Sequence, residues 1–123
     1  MTVIVRDDGF YAEDHNGQAL EIASDTKPEA LPRDFDGVGL VKVAFPSFSD
    51  GRGFTLARLL RLNGYTGRLR AVGHVIADQY AMARRSGFDE VEISDDLAAR
   101  QPAEQWIFRA DWQAHDYRSR VKA

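Results

Sequence analysis

The amino-acid sequence predicts an α/β fold in which three parallel strands alternate with three helices. Apolar runs rich in β-branched residues occur at 38–45, 69–72 and 91–93, and each precedes a segment with apolar residues at helical spacing. The connections are short, and such alternation implies right-handed crossovers and a parallel sheet. The pattern leaves open whether the strands form an open sheet or an incomplete barrel resembling part of a TIM barrel.

The N-terminal region, residues 1–36, predicts a β-hairpin followed by a connection. Two short β-rich runs lie on either side of Asp7-Asp8-Gly9, a turn sequence typical of hairpins. A third short strand is predicted over 18–22. Residues 25–36 are polar and contain two prolines, so at most one helical turn is expected there, around 28–31.

The core elements follow in residues 37–123, and we expect 1–123 to form one domain. The nearly continuous apolar run at 38–45 is typical of a strand covered on both faces. The first helix is predicted to end at Asn63-Gly64 and the second at Gly87, because glycine suits the left-handed residue after a helix. A final helix is predicted between about 102 and 115, with Trp106 on its apolar face.

The composition excludes several kinds of chemistry for this chain. It has 123 residues and no cysteine, so it has no thiol nucleophile and no cysteine-ligated cluster. No His-x-His or His-x-x-x-His spacing occurs, which predicts no metal site. Neither a Walker loop nor a Gly-x-Gly-x-x-Gly dinucleotide loop is present, so the sequence identifies no cofactor.

The charge distribution is uneven along the chain. The net charge is −3, but residues 37–88 carry eight basic side chains against two acidic ones, whereas residues 1–36 carry three basic against nine acidic. A basic segment of this kind attracts an anionic ligand or an acidic protein patch, although arginines also commonly cover the outer faces of helices. The net charge and the lack of a basic tail argue against nucleic acid.

The first residues and the lengths of the apolar runs indicate the cellular compartment of the protein. The first residues lack the basic start and apolar stretch of a signal peptide, and no apolar run is long enough to span a bilayer. We therefore expect a cytoplasmic protein with no membrane partner. The C-terminal aromatic residues exceed what one amphipathic stripe needs, so some of them could contact another protein or a second copy of the chain. Core packing is nevertheless the favoured interpretation, above all for Trp106.

In parallel α/β folds a ligand lies beyond the carboxyl ends of the strands, where the loops converge. The most informative such segment here contains Ser49, Asp50, Gly51, Arg52 and Gly53. The glycines let the backbone approach a ligand closely, and the arginine can fork onto a carboxylate, sulfate, sulfite or phosphate. A purely structural interpretation also explains these residues: Ser49 or Asp50 would cap the next helix, and Arg52 would pair with a carboxylate.

Three further candidate residues lie within or after the second core strand. His74 and Asp78 are four residues apart at a predicted helix start, so they could act as an acid–base pair on one face, or simply be solvated residues. Arg70 lies inside the strand itself. If it is buried it needs a partner, for which Asp50 and Asp78 are the expected carboxylates, and otherwise it lies in solvent at a sheet edge.

Residues 45–61, which read FPSFSDGRGFTLARLLR, together with 69–73 and Asp78-Gln79, resemble the bacterial domain-of-unknown-function family 934. The similarity extends over about residues 38–93. The resemblance implies that Asp50, Gly51, Arg52, Gly53, Arg70, Gly73, Asp78 and Gln79 are signature positions of the family, without assigned roles. Members are described as uncharacterised or as oxidoreductases of sulfite reduction, because their genes tend to lie beside those of assimilatory sulfite reductase.

The sequence is therefore compatible with three functions. The first is an accessory protein of assimilatory sulfate or sulfite reduction that binds a small oxyanion or pathway intermediate at the strand ends. The second is a non-catalytic adaptor that docks onto sulfite reductase. The third is a barrel-type isomerase or lyase that uses His74 and Asp78. Because the chain has neither cysteine nor a cofactor fingerprint, a binding or accessory role is favoured over direct redox chemistry.

Overall fold

The protein is described by a computed structural model, which covers residues 2–111. The strands are β1 (Thr2–Arg6), β2 (Gly9–Tyr11), β3 (Leu20–Ile22), β4 (Leu40–Phe45), β5 (Arg68–Gly73) and β6 (Glu90–Ser94). The helices are α1 (Arg52–Leu62), α2 (Tyr80–Ser86), α3 (Asp95–Arg100) and α4 (Ala103–Phe108), with 3₁₀ turns at Pro28–Ala30 and Ala77–Gln79. None of the helices in this part of the chain is long and apolar enough to cross a membrane.

The six strands form one sheet in the order β2-β1-β6-β5-β4-β3. Neighbouring strands from β3 to β6 are parallel, whereas β1 pairs antiparallel with β6 and β2 antiparallel with β1. The fold is thus mixed α/β, with a mostly parallel sheet. Strands β2 and β3 lie at opposite edges, so of the two predicted arrangements the structure has the open sheet.

One face of the sheet carries the hydrophobic core. Alternate residues of the central strands, among them Val43, Ala71 and Val91, are fully buried there. Helix α1 adds Leu56, Ala57 and Leu60 to the same core, as its apolar spacing predicts. Trp106 of α4 is also fully buried, and its ring packs edge-on against Tyr80. The expectation that Trp106 belongs to the core is confirmed.

The opposite face of the sheet is largely polar, so the prediction that residues 38–45 are covered on both faces is correct only for the start of β4. On this face Leu40 is fully buried, Lys42 is partly exposed and Ala44 is exposed, and these three residues alternate with the buried residues that face the core. On the neighbouring strands the same face carries Arg70, Glu90 and Glu92, as the strand register shows. The run looked continuous because Ala44 is small and apolar and only Lys42 broke it.

The connection from β2 to β3, residues 12–19, crosses this polar face. It joins the two edges of the sheet, and four strands lie between them. Two consecutive acidic residues hold it there: Glu13 pairs with Arg70 and Lys42, and Asp14 pairs with Arg6 and Arg68. We call residues 12–19 the strap.

The C-terminal helices differ from the prediction of one helix over about 102–115. Helix α3 begins directly after β6, because the Ser94 hydroxyl accepts a hydrogen bond from the Leu97 N–H at 3.1 Å and Asp95 and Asp96 occupy the first turn. Helix α4 begins after Pro102 and ends at Phe108. Residues 112–115 of the predicted helix lie outside the described part.

Candidate functional site

The loop that follows β4 is ordered by its own polar groups. The Ser47 and Ser49 hydroxyls are 3.0 Å apart, and the Ser49 N–H donates to the Ser47 hydroxyl at 3.2 Å. The Asp50 N–H donates to the Ser47 carbonyl at 3.1 Å. The loop therefore has a turn geometry that leads into Gly51, the N-cap residue of α1.

Arg52 and Asp50 form a forked ion pair at the start of α1. Arg52 donates from Nε and Nη2 to the two Asp50 oxygens at 3.0 and 2.8 Å, and its backbone N–H donates to Asp50 Oδ1 at 3.1 Å. Nη2 also donates to the Ser24 hydroxyl at 3.2 Å. Hydrogen bonds from the Arg52 side chain and backbone hold the pKa of the Asp50 carboxyl well below its usual range.

A cleft of about 310 Å³ lies beside this ion pair, between the end of β3 and the first turn of α1. Its lining residues are Ser24, Asp25, Thr26, Lys27, Pro28, Arg52, Thr55 and Leu56. We call it the Arg52 cleft. The Arg52 side chain remains 60% exposed, so its guanidinium is accessible to a ligand although Asp50 holds two of its nitrogens.

Two of the predicted glycines are required by packing. A Cβ on Gly53 would lie 2.5 Å from the Phe45 ring, so α1 could not pack on β4 at its present distance. Gly73 has φ +120°, and a Cβ there would lie 2.6 Å from the Phe45 carbonyl oxygen. Gly51 has a negative φ, and a Cβ there would make only an ordinary contact with the Phe54 ring at 3.9 Å. Because Gly53 and Gly73 have no side chain, helix α1 and the end of β5 can both pack closely against Phe45.

Gln79 ties the loop to the next strand–helix connection. Its Oε1 accepts from the Ile76 N–H and its Nε2 donates to the Phe48 carbonyl, both at 3.0 Å. The side chain amide is therefore satisfied within the protein, and it fixes the loop after β4 against the loop after β5.

The structure does not bring His74 and Asp78 together as a pair. His74 lies at a bend of the chain before the 3₁₀ turn, and its Nδ1 lies 3.3 Å from the Phe45 carbonyl oxygen. Asp78 instead forms a 2.7 Å ion pair with Arg109 of the α4 C-terminus. Each residue has separate partners, because residues 74–76 are not helical and the four-residue spacing therefore does not place both on one face.

Arg70 lies on the polar face of the sheet and is fully buried. The expectation that Asp50 or Asp78 would pair with it was wrong, since its carboxylates are Glu13, Glu90 and Glu92 at 2.8, 2.6 and 2.9 Å. Burial by itself would lower the pKa of Arg70, but the hydrogen bonds to Glu13 and Glu90 outweigh it and raise the pKa. Asp50 and Asp78 belong to loops at the strand ends, whereas Arg70 points from mid-strand.

Sequence reasoning missed the part of the Arg52 cleft that comes from the end of β3. Ser24, Thr26 and Lys27 belong to the polar segment after a three-residue strand, and no motif marks them. The rule of strand ends would have found them if β3 had been recognised as the parallel neighbour of β4. Among residues 2–111, no cluster of three His, Asp or Glu side chains could hold a metal ion.

The fold and the site define a class of small α/β protein with an open, mostly parallel sheet and an arginine-lined cleft at its strand ends. Residues 19–121 match the family model described as "Bacterial protein of unknown function (DUF934)", and the chain belongs to that family. The match begins after the hairpin and most of the strap. No curated protein and no solved structure matches the chain.

Proposed function

We propose that this protein is an accessory protein of assimilatory sulfate or sulfite reduction that binds a small oxyanion in the Arg52 cleft. The observation that carries the proposal is the lining of that cleft, which combines two cations, Arg52 and Lys27, with the hydroxyls of Ser24, Thr26 and Thr55. Guanidinium, ammonium and hydroxyl donors together are the groups that recognise tetrahedral and pyramidal oxyanions.

The ion pair with Asp50 supports this role because it fixes the orientation of Arg52. Nε and Nη2 are occupied by Asp50 and Ser24, whereas Nη1 makes no hydrogen bond to any residue within 2–111. An arginine that is held in one rotamer loses less side-chain entropy when an anion binds. Lys27, likewise without an ion pair in the described range, supplies the second positive charge.

Asp25 refines which anions suit the cleft. It is the one carboxylate in the lining, and it accepts hydrogen bonds but donates none when ionised. A protonated oxyanion, such as hydrogen sulfite or hydrogen phosphate, offers Asp25 a donor and presents its remaining oxygens to Arg52 and Lys27. The sulfur pathway itself rests on the family resemblance, which associates these proteins with sulfite reductase.

Calorimetric titration with sulfite, sulfate and phosphate at low ionic strength tests the proposal. We expect wild type to bind one equivalent of oxyanion at this cleft, and Arg52→Gln to weaken that binding at least about tenfold, because it removes a charge-assisted donor. Arg58→Gln is the matched control, since Arg58 lies on the same helix, is exposed and does not line the cleft. Equal binding by the two variants, or no binding by wild type, would contradict the proposal.

A second candidate function, the adaptor that docks onto sulfite reductase, is favoured by exposed apolar side chains on the helices. Leu62 and Phe108 are each 76% exposed and Met82 is 53% exposed. Capture of purified sulfite reductase by wild type but not by Leu62→Ser/Met82→Ser would support the adaptor. Capture that is unchanged in that variant would count against docking through these residues.

A further inference from the structure

The polar face of the sheet carries an unusual set of charges beneath the strap. Four cations lie there, Arg6, Lys42, Arg68 and Arg70, and within residues 2–111 the sheet carboxylates that form ion pairs with them are Glu90 and Glu92. Glu21 of β3 lies opposite Lys42 on the same face but forms no ion pair in this part of the chain. The two remaining carboxylates of the network come from the strap. Without the strap, the four cations and the two ion-paired sheet carboxylates would therefore have a net charge of +2, or +1 when Glu21 is counted.

Glu13 binds Arg70 in the geometry that arginine uses for a ligand. Its Oε1 accepts from Arg70 Nη1 at 2.8 Å and its Oε2 accepts from Nη2 at 2.9 Å. This end-on fork is how a guanidinium recognises a carboxylate, sulfate or phosphate. Arg70 is held in place beneath it, because its Nε donates to Glu90 at 2.6 Å and Nη1 also donates to Glu92 at 2.9 Å.

Asp14 bridges the two neighbouring cations, Arg6 and Arg68. Its two oxygens accept separately, one from Arg6 Nη2 at 2.8 Å and the other from Arg68 Nη2 at 2.9 Å. Both strap carboxylates remain partly in solvent, with 41% and 49% of their side chains exposed, whereas Arg70 is fully buried and Glu90 nearly so. The fixed part of the network thus belongs to the sheet, and the accessible part to the strap.

We propose that the polar sheet face is a second binding site, for a small dianion, and that Glu13 and Asp14 of the strap occupy it as an internal substitute for that ligand. The dianion replaces the two strap carboxylates, so that the charge of the site is balanced in either state. The energetic reason is that buried or half-buried cations need an anionic partner, and each state supplies one. The site is separate from the Arg52 cleft and shares none of its lining residues.

The proposal predicts a gain of binding when the strap is neutralised. Glu13→Gln/Asp14→Asn keeps the shape of the strap but removes its two negative charges. In calorimetric titration we expect this double variant to bind one more equivalent of inorganic phosphate or sulfate than wild type. The affinity for this extra equivalent should be at least about tenfold higher than the affinity of the same face in wild type, because the substitutions weaken the internal competitor. Adding Arg52→Gln leaves this extra equivalent in place.

The matched control is Asp36→Asn/Glu104→Gln, which changes the net charge equally. Both residues are exposed and make no ion pair within the described part of the chain. If the strap variant binds no more anion than this control, the proposal is overturned. Because the extra equivalent is counted against the control, the result does not depend on whether the Arg52 cleft binds an oxyanion.

Hydrogen exchange on wild type provides a test that needs no variant. At equal ionic strength, sulfate should accelerate exchange of the strap amides relative to chloride, while exchange in the rest of the protein stays equal or slows, as sulfate generally stabilises folded proteins. Strap exchange that is equal or slower in sulfate would contradict displacement of Glu13 and Asp14 by the anion.

Discussion

Arg52 shows how the geometry of one side chain fits both a structural role and the binding role that we propose. Asp50 and Ser24 fix its position through three side-chain hydrogen bonds of 2.8 to 3.2 Å. Most of the side chain nevertheless remains in solvent, next to Lys27 and three hydroxyls. This geometry therefore fits both interpretations that the sequence left open, a locked turn and an anion-binding arginine.

Gly73 is the residue whose substitution should affect the fold most specifically. Gly73→Ala introduces a Cβ at φ +120°, where it meets the Phe45 carbonyl oxygen, so we expect a loss of about 2 kcal/mol or more in the free energy of unfolding. Gly51→Ala is the control and should change it little, since its Cβ meets nothing closer than 3.9 Å. Urea unfolding measures both, and equal effects of the two substitutions would contradict this account of the strand ends.

At the scale of elements, the alternating strands and helices of the core could be predicted because each has a clear local signal. The apolar runs mark β4, β5 and β6, and Gly64 and Gly87, both with positive φ, follow α1 and α2 as predicted. Helix α3 was missed although Ser94 is a good N-cap, because Asp95 and Asp96 also suit a loop. The local sequence pattern alone does not distinguish a helix start from a loop in such a polar segment.

Arg61 illustrates a link between elements that no pattern indicates. Its guanidinium donates to the carbonyls of Tyr65, Gly67 and Gly87 at 2.7 to 3.1 Å, and so joins the end of α1 to the end of α2. In the sequence it is one of eight basic residues in a positive segment. Its role depends on which chain ends meet in space, and this follows only from the order of the strands.

At the scale of the whole molecule, the sheet has two different faces, and only one was predicted. Core residues could be inferred from hydrophobicity, but the polar face depends on ion pairs between residues more than 50 positions apart, such as Glu13 with Arg70 and Asp14 with Arg68. The Arg52 cleft was predicted in part for the same reason: its loop has a motif, whereas Ser24 and Lys27 reach it through the pairing of β3 with β4.

The strap carboxylates make the free energy of unfolding depend on pH. Hydrogen bonds from Arg70 lower the pKa of Glu13 from 4.5 to about 2, and those from Arg6 and Arg68 lower the pKa of Asp14 from 3.8 to about 2. As the pH falls, these carboxylates therefore take up protons at a higher pH in the unfolded chain than in the folded protein. The stabilisation is complete above about pH 5 and is lost towards pH 2. For Glu13 it is on the order of 1 kcal/mol, because solvent screens a side chain that is 41% exposed.

Urea unfolding between pH 7 and pH 2 measures this dependence. We expect Glu13→Gln/Asp14→Asn to lose less stability than wild type between pH 5 and pH 2, and Asp36→Asn/Glu104→Gln to follow wild type. A strap variant as steep as wild type over that interval would mean that Glu13 and Asp14 do not pair with the sheet in solution.

Binding of an oxyanion in the Arg52 cleft is tested by a crystal structure with hydrogen selenite. Hydrogen selenite has the pyramidal shape of hydrogen sulfite and, near neutral pH, carries a proton that it can donate to Asp25; its selenium gives an anomalous signal that identifies the anion. We predict an anomalous peak with selenite oxygens within hydrogen-bond distance of the Arg52 guanidinium and the Lys27 ammonium in wild type, and its loss in Arg52→Gln. An empty cleft in wild-type crystals that contain selenite, with Arg52 still held by Asp50, would contradict binding at this cleft.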